Sequence, residues 1–440
     1  MGGYVPTTNK EREGMLRELG LTDVGQLFQD IPESVLQKGL LNLPEGMAEM
    51  QVRRAMTALA GKNKVFPVIL RGAGAYNHYI PSIVKYVTAK EEFVTAYTPY
   101  QAEISQGILQ SIFEYQTMIC ELTGMDVSNA SVYDGAGAAA EAVSMCRERK
   151  RMTALVSATA HPDVIAAIAT YCHAANAPML IVPEKDGLTD REALRGMLSD
   201  ETACLYVQQP NFYGAFEDVK SLGELAHEAG AKYILGVNPM ALAIMQSPGE
   251  AGADIAVGEG QPLGMPLSFG GPYLGFMAAK TAMMRKLPGR IVGETIDDKG
   301  NRAYVLTLQA REQHIRREKA SSNVCSNQAL CALTAAVYIA AMGYEGLKNA
   351  AGQSMSKAHY LEQALTKVPG IARVGSAPFF HEFVTTCAGK QSAVLKALEE
   401  KGILGGLPLG EDSLLWCVTE LVSREQMDEA VETVREVCAK

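Results

Sequence analysis

The sequence predicts an α/β protein: a large domain built on a mostly parallel, doubly wound sheet. A helical arm over residues 1–65 precedes it and a small α+β domain over 326–440 follows it. Three observations carry that prediction. Apolar runs of strand length alternate with helical patterns between about residues 130 and 280. The runs are continuous rather than alternating, as strands are when both faces of a parallel sheet are covered. The 440 residues, 48% hydrophobic and 20% charged, suffice for two or three packed units.

Taken in order, the arm reads as short helices broken by Pro and Gly. "TDVGQLFQDIP" opens on Thr22 and Asp23, good N-cap residues, and "PEGMAEMQVRRAMTALAGKN" is a helix ending at Gly61. We expect this arm to pack on a neighbour. The large domain, 66–325, runs strand "TALVSAT", helix "PDVIAAIATYCHAAN", strand "APMLIVP", helix "TDREALRGMLS", strand "TACLYVQQ" and helix "DVKSLGELAHEAG". "KYILGVN" and "ADIAVGE" add two strands. Such a sheet takes ligands at the carboxyl ends of its strands. "ALCALTAAVYIAAM" is too short to span a bilayer and reads as a buried helix linking to the tail. In the tail, "SAPFFHEFVTT" and "LLWCVTE" are strands beside the helices "KQSAVLKALEEKG" and "SREQMDEAVETVREVCA".

Charge and cysteine usage narrow the function classes. A net charge of -9 disfavours general nucleic-acid binding, which needs a basic surface. The start "MGGYVPTTNKEREGML" lacks a basic head and apolar run, so a cytoplasmic protein is expected. Nine cysteines, scattered and without a C-x-x-C pair, fit reduced thiols in a core and argue against a metal site.

Six stretches could carry chemistry. In "SVYDGAGAAAEAVSMCRERKRM", Asp134, Gly135 and Gly137 form a turn feeding a helix whose N-terminus could hold a phosphate, or need glycine only for packing. His161-Pro162 follows a strand, which aims the ring at the ligand crevice; a hydrogen-bonded structural histidine is the alternative. Asn238 ends the strand "KYILGVN", where pyridoxal-phosphate enzymes hold a carboxylate against the pyridine nitrogen. Gln261, in "DIAVGEGQPLGMPLSFGGPYLGF", sits where such enzymes carry the Schiff-base lysine, and an amide is no nucleophile. "RGAGAYNHYIPSIVKYV" and "AYTPYQAEISQG" gather Asn77, His78, Tyr97, Tyr100, Gln101 and Glu103 in polar, aromatic loops. In "LQAREQHIRREKASSN", Arg311, His314 and Arg317 recur at three-residue spacing and would share a helix face.

These stretches, with "FEYQTMICELTGMDVSNASVYDGAGAAAEA", "SPGEAGADIAVGEGQPLGMPLSFGGP" and "REQHIRREKASSNVCSNQAL", resemble the glycine dehydrogenase (decarboxylating) family, the P-protein of the glycine cleavage system. The likeness is to its N-terminal half, a separate subunit 1 in many bacteria. It implies an aminotransferase-like large domain, the type I fold of pyridoxal-phosphate enzymes. It also implies a partner, subunit 2, that bears the cofactor lysine and pyridoxal 5'-phosphate, in a two-plus-two heterotetramer. The implied reaction decarboxylates glycine and passes an aminomethyl group to the lipoyl group of the H-protein. On that resemblance the chain has no catalytic lysine of its own, and the residues named above become candidates for the cleft and the subunit junction. Two other readings stand beside it: a self-sufficient enzyme using another lysine, such as Lys280, and a non-catalytic regulatory protein.

Overall fold

The computed structural model describes residues 6–37, 39, 41–308, 313–320, 322–387 and 389–439, and of His314 only the backbone. The chain divides into two units, Met1–Lys64 and Val65–Lys440.

The first unit holds helices α1 (Asn9–Glu18) and α2 (Glu49–Ala60). Thr8 and Glu11 start α1 with a capping box, the Glu11 carboxylate accepting the Thr8 N–H at 2.7 Å. Asp23 caps a short 3-10 helix at Val24–Phe28, as its place after Thr22 predicts. Helix α2 stops at Gly61.

The second unit is organised around a seven-stranded sheet. Its strands are β1 (Val127–Ser128), β2 (Thr153–Ser157), β3 (Met179–Val182), β4 (Thr202–Gln209), β5 (Lys232–Val237), β6 (Ile255–Glu259) and β7 (Gly275–Ala279). Their order is β1-β7-β6-β5-β4-β2-β3. Strands β2 to β6 are all parallel, while β7 runs antiparallel to both β6 and β1. No crossover helix joins β6 to β7, so the chain turns back on itself, as an antiparallel pair allows. The order reverses at β2: β3 lies outside it, and the chain then crosses back to β4. That switch point opens a crevice at the carboxyl ends of the strands.

Helices cover both faces of the central strands, which is why those strands are largely apolar, while Leu180 and Ile181 of the edge strand β3 stay exposed. Helices α4 (Gly135–Cys146) and α5 (Pro162–Ala174) lay Ala138, Ala142, Val143 and Ile168 on Val156, Ile234 and Met277. On the other face, α3 (Gln106–Thr123) and α7 (Val219–Glu228) pack Tyr115, Ile119 and Leu225 against Leu205, Leu235 and Phe276. Between α5 and α7 the chain forms the short helix α6 (Arg191–Met197).

Helix α8 (Ala329–Leu365) links the two parts of the unit and kinks at Gly343, whose φ of 59° suits glycine. Before the kink Ala332, Ala335 and Tyr338 join the sheet core; beyond it Ala358, Leu361 and Leu365 join the C-terminal core. By length and composition α8 could cross a membrane, yet its most apolar window is 33% buried. The buried helix expected from the sequence is therefore one-sided, with a single face in the core.

The C-terminal part is a three-stranded antiparallel sheet with helices, ordered β10 (Glu382–Thr386), β12 (Ser413–Cys417), β11 (Leu407–Leu409). Helices α9 (Gln391–Glu400) and α10 (Arg424–Cys438) close it over Trp416, Phe383 and Leu398. Val68–Ile69 pairs in parallel with Ile403–Leu404, so the first segment after the arm adds to this part and not to the large sheet. Among the elements that escaped the sequence reading is the hairpin β8 (Ile291–Ile296) and β9 (Arg302–Thr307). Its turn signal was present: Asp297 accepts the N–H groups of Lys299 and Asn301 at 2.9 and 2.7 Å.

Candidate functional site

A cleft of about 260 Å³ lies at the switch point. Its walls are the carboxyl ends of the parallel strands: His161 after β2, Gln208 in β4, Asn238 after β5 and Glu259 ending β6, with Asp134 and Gly135 opening α4. Segment 73–76 forms another wall. The fold thus gathers Asp134, Gly135, His161 and Asn238 around one space, as their positions in the sequence predict.

The start of α4 was expected to offer free N–H groups, but those of Gly135 and Gly137 are taken within the chain. Asp134 caps the helix by accepting the Gly137 N–H at 2.6 Å, and Glu259 accepts the Gly135 N–H at 3.0 Å. The other carboxylate oxygen of Glu259 accepts the N–H groups of Gln261 and Leu274 at 3.0 and 2.9 Å. Burial pushes Glu259 up to about 7 against those three donors. An anion cradle is present, and the chain's own carboxylate fills it. Gly135 is needed for this approach, since a Cβ there would sit 2.8 Å from the Glu259 nitrogen, while one at Gly137 would meet only the Asp134 side chain, at 3.2 Å.

Gln261 is fully buried and spends its amide on structure. Its oxygen accepts the Tyr76 N–H at 2.8 Å; its nitrogen donates to the carbonyls of Tyr76 at 2.9 Å and Met265 at 2.7 Å. His161 is likewise held in place. Its Nδ1 accepts the Asp163 N–H at 3.1 Å, which puts the ring proton on Nε2, 2.9 Å from the Ala73 carbonyl. Phe212 packs edge-on to the ring at 5.1 Å. Asn238 accepts the Met240 N–H at 3.0 Å, and its buried amide nitrogen has no partner.

Segment 73–79 joins this cleft to the C-terminal part. Ala73 N–H and the Tyr76 hydroxyl both donate to Glu382 at 2.7 Å, and burial pushes that carboxyl up to about 7. His78 bonds Glu420 at 2.7 Å, and the Thr419 hydroxyl donates to the Asn77 carbonyl at 2.6 Å. Burial raises Glu420, but the His78 ring and the Tyr79 N–H outweigh it and hold the group low. Asn77 and His78 therefore face the C-terminal part, outside the cleft lining. The sequence reading missed Tyr76, Glu259 and Glu382; a Glu two residues before Gln261, at a strand's carboxyl end, was the available signal.

Tyr97, Tyr100, Gln101 and Glu103 lie on an exposed stretch apart from the cleft, with Tyr97 87% exposed. Arg311 and the His314 side chain lie outside the described residues. Arg317 has a φ of 51° in a 3-10 turn after the four-residue helix Gln313–Arg316, so regular helix does not continue through it. Lys280 emerges at the amino ends of the parallel strands, away from the cleft, because β7 is antiparallel; its ammonium donates to the Gly252 carbonyl at 3.3 Å. The reading that used Lys280 as a Schiff base is overturned. Among the described residues no group of three or more His, Cys, Asp or Glu is placed to hold a metal.

The family model for the glycine cleavage system P-protein matches residues 2–434. This chain belongs to that family. It is 51% identical over 443 residues to a "Probable glycine dehydrogenase (decarboxylating) subunit 1" of Moorella thermoacetica, covering 99% of this chain and 100% of that one. The same name is carried by a relative from Desulfitobacterium hafniense, 46% identical over 99% of both chains. Among solved structures, a crystal structure of glycine decarboxylase (P-protein) in inhibitor-bound form superposes with TM-score 0.93 at 43% identity, covering 99% and 100% of the two chains. A sphingosine-1-phosphate lyase of Burkholderia pseudomallei superposes at TM-score 0.67 and 14% identity, a likeness of fold alone. The P-protein chain thus has the type I fold of pyridoxal-phosphate enzymes.

The cofactor of that fold does not fit this chain's own cleft. No amine stands at position 261, and Asn238 cannot hold a charge against a pyridinium. Of the α4 N–H groups that would take a phosphate, those of Gly135 and Gly137 already serve Glu259 and Asp134. The lining carries Asp134, Asp163 and Glu259 but no Lys or Arg.

Proposed function

We propose that this P-protein chain is the non-lysine subunit of glycine decarboxylase. With subunit 2 it decarboxylates glycine and passes the aminomethyl group to the lipoyl arm of the H-protein, releasing carbon dioxide. Pyridoxal 5'-phosphate belongs on the partner, where it supplies the electron sink for the carbanion left by decarboxylation. The observation that carries this reading is the state of Gln261: a buried amide, fully bonded, in the place of the nucleophile.

The division of labour follows from this chain's residues. Its own cleft is a structural joint, in which Gln261 and Glu259 tie the sheet end to segment 73–76 and to α4. Its contribution to the shared site comes from exposed groups, for which the loop with Tyr97, Gln101 and Glu103 is the candidate. Apolar side chains exposed on the arm, among them Met50, Met56 and Leu59, are assigned to packing on the partner. A lipoyl arm needs an open route, and a subunit without bound cofactor can shape that route without competing for the substrate.

The test is purification of the chain alone and with the encoded subunit 2. The lone chain should take up no pyridoxal phosphate and release no carbon dioxide from labelled glycine, with or without the lipoyl carrier. The co-purified complex should do both. Decarboxylation by the lone chain, or failure of the two chains to associate, overturns the assignment.

A further inference from the structure

Arg290 carries a charge that no carboxylate among the described residues neutralises. It stands beside the start of β8, 6% exposed, with its carbonyl accepting the Ala130 N–H at 2.7 Å. Its guanidinium makes one hydrogen bond, from Nη2 to the Tyr100 hydroxyl at 3.1 Å, and lies 5.4 Å from the centre of that ring. The Nε atom is buried without a partner, and among the described residues Nη1 has no acceptor. Among the described residues no Asp or Glu forms an ion pair with it; the neighbouring cations Lys286 and Arg302 do pair, with Glu148 and Glu294.

An arginine stays protonated and offers five N–H donors, so burial with one neutral acceptor leaves most of its capacity unused. Burying an unpaired charge is costly, and replacing it by an apolar side chain would ordinarily stabilise a protein. Tyr100 adds a second donor. Its oxygen accepts from Arg290, which leaves its own hydrogen free. A guanidinium and a tyrosine hydroxyl converging without an acceptor have the chemistry of a receptor for a small oxyanion, a carboxylate or a phosphate.

We propose that Arg290 and Tyr100 form an oxyanion-binding site at the edge of the cleft shared with subunit 2. The location rests on the function proposed above, which puts the Tyr97–Glu103 loop at that cleft; the receptor chemistry rests on this chain alone. Glycine's carboxylate and a phosphate are the two sources of such an anion. Arg290 acts by binding and positioning.

The experiment compares wild type with Arg290→Met, Arg290→Lys and Tyr100→Phe. In chloride buffer Arg290→Met should be at least as stable as wild type, whereas an arginine kept for packing would be missed. Added inorganic phosphate or acetate at constant ionic strength should then stabilise wild type more than Arg290→Met, by mass action on the folded state. In the complex with subunit 2, Arg290→Met should raise the KM for glycine about tenfold or more if the anion is glycine's carboxylate. Retention of pyridoxal phosphate should fall instead if it is a phosphate. Arg290→Lys should recover part of either effect, because the charge returns without the fork, and Tyr100→Phe should weaken it without touching the fold. Equal anion stabilisation of wild type and Arg290→Met, with glycine KM and cofactor retention both unchanged, overturns the proposal. A wild-type complex that leaves glycine untouched would remove the assigned function, while the anion measurements on the chain would still decide this site.

Discussion

Replacing Gln261 by leucine tests whether the cleft has become a joint. Leucine has a similar volume and no polar atom, so the change removes three hydrogen bonds while filling the space. The groups left behind are the N–H and C=O of Tyr76 and the carbonyl of Met265, all bonded to Gln261 at 2.7–2.9 Å. Residue 261 is fully buried and Tyr76 nearly so, so water cannot simply replace the lost partner. An orphaned buried group costs about 1–3 kcal/mol, with carbonyls at the lower end because they keep a second lone pair. Relief from burying the amide offsets part of this. The net loss should be about 3–4 kcal/mol, read from urea unfolding followed by circular dichroism. Amide exchange in segment 72–78 should accelerate by about a hundredfold or more, since that segment loses its tie to the sheet. A loss below about 1 kcal/mol with unchanged exchange would refute the reasoning.

Three further outcomes are expected. Glu382, pushed up to about 7 from 4.5 by burial, binds its proton more tightly in the folded chain. Its stabilising contribution is therefore full below pH 4.5 and falls as pH rises to 7. Between pH 5.5 and 7.5 wild type should lose about 2 kcal/mol relative to Glu382→Gln in urea unfolding; an unchanged difference would mean that the carboxyl is not held protonated. Gly135→Ala should destabilise by about 1–3 kcal/mol because its Cβ meets the Glu259 backbone, whereas Gly137→Ala should stay within about 1 kcal/mol; equal effects in thermal melts would count against the filled cradle. Alanine at Tyr97, Gln101 and Glu103 together should leave melting unchanged, since all three are exposed, and should cut glycine turnover in the complex; full turnover would reduce the loop to a connector.

Much of the architecture was legible because the strands are long, apolar and separated by complete helical patterns. "TACLYVQQ" is β4 residue for residue, and Gly61 and Asp23 ended and began elements as cap chemistry requires. The β8–β9 hairpin was not read, because its strands are half exposed and their alternation is weak beside the parallel runs. The antiparallel sense of β7 is invisible locally: "PYLGFMAA" is as apolar as its neighbours, and only the missing crossover helix gives it away. At the site, residue types were legible and their partners were not. Asp134, His161 and Asn238 converge as strand-end positions must. That Glu259 would turn toward Gly135, and that Asn77 and His78 would turn toward Glu420 and Thr419, depends on contacts across more than a hundred residues of sequence.

The absence of a nucleophile at position 261 does not stand alone in this cleft. Had a lysine been exchanged for an inert residue alone, the phosphate cradle at α4 would have stayed open and the cleft would still attract anions. Instead, Glu259 occupies the cradle, Gln261 pairs with Tyr76 as a strand residue would, and Tyr76 reaches Glu382 in the C-terminal part. Each of these bonds stiffens the path between the sheet and the segment that docks that part. Placing a lysine at 261 would leave the Tyr76 N–H unpaired, beside a carboxylate that already holds the α4 terminus. Gln261→Lys should therefore bind no pyridoxal phosphate in the isolated chain, and the lost Tyr76 bond should also make it less stable. A visible cofactor absorbance on that variant alone would show that the cleft is an unmodified enzyme site missing one group, and the joint interpretation would fail with it.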